Sequence, residues 1–99
     1  MDIRQLSEEM TRFVTSKGWF DANSPRPQTP RNIAASLVIE AAEVLEHFQW
    51  GEDDMDKAEL SGELADVLLY LLELASISGI DLEQAALDKL KVNYGRTWE

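Results

Sequence analysis

The run Glu63-Leu64-Ala65-Asp66-Val67-Leu68-Leu69-Tyr70-Leu71-Leu72-Glu73-Leu74-Ala75 decides the fold. No alternation of period two appears in it or elsewhere in the chain, so no sheet is expected. Wound as a helix, it carries Leu64, Val67, Leu68, Leu69, Leu71, Leu72, Leu74 and Ala75 around nearly the whole circumference. A helix on the surface of a monomer needs an apolar stripe only about 100° wide. This one must be covered on several sides, and three short helices of the same chain can hardly enclose it. It reads as an oligomer interface, with a central core helix of a monomer as the alternative.

Outward from this run, three more segments carry the helical period. The first spans about Asp2 to Lys17, with Ile3, Leu6, Met10, Phe13 and Val14 on one stripe. Asp2 with Gln5 three later reads as a capping box and Gly18 as the stop. A second opens at Thr29-Pro30, a cap followed by a first-turn proline, and runs to Gly51. The central helix itself spans about Asp54 to Ser78, and a fourth opens at Asp81 and runs toward Tyr94. Between the first two lies Gly18 to Thr29, with Asn23, Ser24, Pro25 and Pro27. Helix connections of that length are often functional or mobile. The expectation is one all-α domain over residues 1–99, a four-helix bundle assembled as an oligomer.

Composition narrows the chemistry. The chain has 99 residues, no Cys and one His, which excludes disulfides, thiolate metal sites and His-rich zinc sites. A net charge of −10 repels nucleic acid and anionic membranes, so neither is expected as a partner. The longest uninterrupted apolar run, Val67 to Leu72, is too short to span a bilayer, and Met1-Asp2-Ile3-Arg4 lacks the apolar core of a signal peptide. A cytoplasmic protein is expected.

Most of the acids, including Glu8, Glu9, Glu52, Asp53, Asp54 and Asp56, read as a solvated face or as helix caps. Glu40, Glu43, Glu63 and Asp66 do not. Each pair is spaced i, i+3 inside an apolar run, with no Lys or Arg within a helical turn. Two like charges there repel, and each also loses hydration. Solvent exposure or cations from another chain would relieve them. So would a hard divalent cation, for which carboxylates best suit Mg²⁺. A di-iron bundle is excluded because no Glu-x-x-His occurs, and His47 reads as a helix-end residue, with contact to the substrate as the alternative.

With Glu40-Ala41-Ala42-Glu43 and Glu63-Leu64-Ala65-Asp66 in hand, the chain resembles the MazG-like all-α nucleoside triphosphate pyrophosphohydrolases and their E-x-x-E…E-x-x-D signature. Pro30-Arg31-Asn32, Phe48-Gln49-Trp50, the Tyr70 that follows Asp66, and the Lys89…Asn93 spacing point to the dCTP pyrophosphatase branch. Phosphoribosyl-ATP pyrophosphohydrolases and dimeric dUTPases share the carboxylate logic but not the first two pieces. The resemblance implies cleavage of a (d)NTP, dCTP-like or a modified pyrimidine, to the monophosphate and pyrophosphate. It implies Mg²⁺, replaceable by Mn²⁺, on Glu40, Glu43, Glu63 and Asp66, with Glu43 or Glu40 also taking the proton of the attacking water. Lys89, Asn93 and Arg96 match phosphate-binding positions, and Trp19, Trp50 and Tyr70 match positions near base and sugar. A dimer or a dimer of dimers is implied. Two departures stand out: the loop from Trp19 to Pro30 is longer than in that branch, and the tail Thr97-Trp98-Glu99 lacks a basic-Tyr-Pro ending. The rival readings are a non-catalytic nucleotide-binding or protein-interaction module and an acidic mimic of nucleic acid.

Overall fold

Each helix starts on a side-chain oxygen. Asp2 accepts from the Gln5 N–H at 2.8 Å while the Gln5 side chain accepts from the Asp2 N–H at 2.9 Å, closing a capping box ahead of α1 (Ile3–Ser16). Thr29 accepts from the Asn32 N–H at 3.2 Å, and Pro30 is the first residue of α2 (Pro30–Glu46). Asp56 accepts from the N–H groups of Ala58 and Glu59 ahead of α3 (Lys57–Ile77), and Asp81 from that of Gln84 ahead of α4 (Leu82–Tyr94). The computed structural model describes residues 1–51 and 55–97, and no strand occurs among them. The architecture is all-α. Glu52, Asp53 and Asp54, together with Trp98 and Glu99 of the tail, lie outside the described residues.

Two helix ends differ from the sequence reading. α3 begins at Lys57, later than the expected start near Asp54, because the Asp56 side chain takes the first free N–H groups. α2 stops at Glu46, five residues before Gly51. From there the amides reach back three residues: His47 to Val44 at 3.3 Å, Phe48 to Leu45 at 2.9 Å, Gln49 to Glu46 at 3.3 Å. Such tightening marks a fraying end. Phe48, Gln49 and Trp50 therefore form a turn, and Gly51 leaves it at φ +146°, a backbone open to glycine.

α2 packs along α3, and α1 packs on α3 beside it. Their shared core is thin: among the described residues, Met10, Val14, Ile33, Leu72 and Ala75 are the buried apolar ones. α4 has no comparable helix to lie against, and its Leu87, Leu90 and Tyr94, at i, i+3 and i+7, are exposed. So are Leu64, Leu68 and Leu71 on the outer face of α3. The radius of gyration is 16.0 Å, against about 13 Å for a compact domain of this length. The accessible surface of 7747 Å² likewise exceeds the roughly 5,700 Å² of a closed monomer of this mass. No helix among the described residues is long and apolar enough to cross a membrane.

Candidate active site

The i, i+3 spacing and the α2–α3 packing bring Glu40 and Glu43 of α2 to Glu63 and Asp66 of α3. Burial pushes the Glu40 carboxyl above its ordinary value of 4.5, helped by a hydrogen bond with Glu43 and by the charges of Glu43, Asp66 and Glu63. Its Oε2 is buried and meets no donor. The four acids thus sense one another, and the charges that act on Glu40 are the other three carboxylates. Among the described residues, however, no three His, Asp or Glu side chains converge on one point as ligands of a single ion would. The set is gathered at electrostatic range and is not closed into a shell. An orphaned buried carboxylate oxygen amid three further acids is a donor set that suits a hard divalent cation.

Reading by sequence missed one contact here. His47, the C-cap of α2, sets its Nε2 against Oε2 of Glu63 across sixteen positions of chain. His47 stands four after Glu43, on the same helix face, which was the available signal. Its ring orients Glu63 and supplies a donor to one acid of the cluster.

The aromatic positions separate. Tyr70 is half-buried one turn beyond Asp66, and burial raises its hydroxyl pKa, as do Glu40, Asp66 and Glu73, while Arg26 opposes the rise. Trp19 meets the Phe13 ring edge to face at 5.7 Å. Together Trp19 and Tyr70 line two clefts. One, of about 460 Å³, is lined further by Met10, Phe13 and Leu69 and by the acids Glu9 and Asp66. The other, of about 380 Å³, lies under the long loop. Trp50 joins neither: it is 88% exposed in the turn beyond α2, because the helix ends early. Lys89, Asn93 and Arg96 sit on or just after α4, which does not pack along α2 or α3. Glu73, missed from the sequence, is 3% exposed, with neither carboxylate oxygen hydrogen-bonded.

Residues 28–94 match the MazG nucleotide pyrophosphohydrolase domain. The chain belongs to this family. It is 36% identical over 104 residues to dCTP pyrophosphatase 1 of Bos taurus and of Homo sapiens, in each case over 96% of its own length. It spans just over half of those relatives, 57% and 56% respectively. A dATP/dGTP diphosphohydrolase of Cyanophage S-2L is 31% identical over 80 residues, 81% of this chain and 68% of that one. Among solved structures, a pyrophosphatase from Archaeoglobus fulgidus superposes with a TM-score of 0.77 at 35% identity, covering 91% of this chain and 86% of that one. The family match takes in Glu40, Glu43, Glu63, Asp66, Tyr70, Lys89 and Asn93, and leaves Trp19 and most of the long loop outside.

Proposed function

We propose that this MazG-family chain is a nucleotide pyrophosphohydrolase that hydrolyses (d)NTP to (d)NMP and pyrophosphate in clearing the cytoplasmic nucleotide pool, with dCTP or a modified pyrimidine dNTP as the first substrate to test. The observation that carries this is the buried, donorless Glu40 oxygen among Glu43, Glu63 and Asp66. These four acids would hold Mg²⁺, or Mn²⁺ in its place. When bound, the ion supplies charge neutralisation for the phosphate oxygens and helps ready the attacking water. The chain's own part is to place and deprotonate that water. Glu40 and Glu43 lie close enough to share a proton, so either can accept the one water loses as its oxygen bonds to the α-phosphorus and pyrophosphate departs. Trp19 and Tyr70 flank the nucleoside, and Lys89, Asn93 and Arg96 meet the triphosphate.

The second part of the reading is assembly. Residues 1–99 act as one domain of a dimer or tetramer in which α4 of one copy reaches the acids of another. The exposed stripes of α3 and α4 and the open shape of the single chain support it. Incubation with each canonical dNTP and Mg²⁺, followed by assay for pyrophosphate, tests the activity. Release from at least one nucleotide is expected, and inertness toward all of them would leave the chain a binding module.

A further inference from the structure

The long loop between α1 and α2 is an ordered arch. Trp19 N–H reaches Val14 O at 3.3 Å, Asp21 N–H reaches Gly18 O at 3.2 Å, and Ser24 N–H reaches Asp21 O at 3.0 Å. Arg26, between Pro25 and Pro27, is tied at both ends. Its N–H donates to Ser24 Oγ at 3.0 Å, and its carbonyl accepts from the Gln28 side chain at 2.6 Å. Asn32 of α2 donates to Pro27 O at 2.9 Å and closes the arch. Two prolines and these bonds fix the arginine backbone.

The guanidinium stands 5.5 Å from the centre of the Trp19 ring and close enough to Tyr70 to act on its hydroxyl. Arg4 and Arg12 pair with Glu8 and Glu9, whereas among the described residues Arg26 is paired with no carboxylate, in a chain of net charge −10. It lines the cleft of about 380 Å³ with Trp19, Gln28, Asn32, Ser36 and Tyr70. Gln28 and Asn32 each give an N–H to the arch itself. Arg26 therefore presents a planar fork of donors, with no acceptor, beside the Trp19 ring in a cleft that Tyr70 also lines. A flat ring bearing two neighbouring acceptors on one edge complements it.

We propose that Arg26 is a specificity residue that reads the edge of the substrate base, a role that rests on the pyrophosphohydrolase reading above. Cytosine offers O2 beside N3, and guanine offers O6 beside N7. Adenine sets an amino group beside N7 and N1, and thymine sets an N–H between its two carbonyls, so neither satisfies the fork. A bidentate contact of this kind discriminates by roughly ten- to a hundredfold.

The test is kcat/KM for dCTP, dGTP, dATP and dTTP with Mg²⁺, for the wild type, Arg26→Ala and Arg26→Lys. The wild type should prefer dCTP and dGTP, and both variants should lose that preference by about ten- to a hundredfold, chiefly through KM, because lysine keeps the charge but not the fork. A loss of equal size on all four nucleotides, restored by lysine, would assign Arg26 to the phosphates and overturn the proposal. An unaltered preference would overturn it too. Should the wild type hydrolyse nothing, the activity reading fails by itself. Calorimetric binding of α,β-imido dCTP and dATP to wild type and Arg26→Ala then decides: a dCTP preference lost in the variant upholds the role, and equal or absent binding removes it.

Discussion

At the scale of single residues, the charges explain what the site does without a bound ion. Glu40 is pushed up first by burial and then by Glu43, Asp66 and Glu63, so taking away a neighbour relieves the cluster. Glu43→Ala or Asp66→Ala should abolish turnover, leave the helical circular dichroism intact and raise the melting temperature in EDTA. Near-normal activity would remove the residue from the site. Glu73 is a separate matter. Burial raises its carboxyl above 4.5, and no hydrogen bond compensates it. The folded chain then keeps a proton that the unfolded chain releases. Its contribution to stability is therefore fullest below pH 4.5 and is lost as pH rises toward the folded value, above which the whole cost is felt. Glu73→Gln removes the ionisation and little volume, so its melting point should exceed the wild type's by more at pH 8 than at pH 4. An equal difference at both would show that charge plays no part. The four acids were legible because carboxylates in apolar runs without cations break a rule. Glu73 breaks the same rule, but its single acid in a leucine-rich run had no partner at i+3 to mark a pattern. Arg26 had no signal at all, since its surroundings arise from the folding of the loop.

At the scale of helices, the caps were the most readable features. Asp2, Thr29 and Asp81 each accept the bond that their spacing anticipates, because capping is decided within four residues. The end of α2 was not readable. Its apolar period continues through Phe48, yet the backbone tightens after Glu46 and carries Trp50 into an exposed turn. Periodicity records which side chains are apolar, and backbone tightening is not written in it. Periodicity does not rank burial along α1 either: of its apolar stripe, Ile3 and Phe13 stay exposed while Met10 and Val14 are covered. The thin core makes α3 the vulnerable element. Leu72 is 2% exposed and among the few fully buried side chains, so Leu72→Ala should cost about 2–5 kcal/mol. That is a large share of an ordinary stability of about 5–15 kcal/mol. Urea unfolding measures it, and a cost below about 1 kcal/mol, the scale of ordinary substitutions, would mean that the α1–α3 seam is not the core.

For the whole molecule, the open shape and the scattered site call for one explanation. The acids lie on α2 and α3, the phosphate-binding candidates lie on α4, and α4 does not pack along either helix of its own chain. A second copy that covers Leu64, Leu68 and Leu71 with its own apolar stripe would close both deficits, and two-fold symmetry is the commonest way to do so. Light scattering should then give at least twice 11.2 kDa, and Leu68→Asp should split or unfold the assembly with loss of activity. Complementation is the sharper test. A Glu43→Ala chain still carries Lys89, and a Lys89→Ala chain still carries the four acids. If the two sets meet only across the interface, unfolding and refolding an equal mixture yields mixed dimers with one intact site in two. With random pairing, activity should recover to about a quarter of the wild-type value from two nearly inert proteins. An unmixed wild type taken through the same refolding sets the reference. Failure of the mixture to recover, while that reference does, would mean that each chain brings its own α4 to its own acids and that the separation of α4 is closed within the subunit.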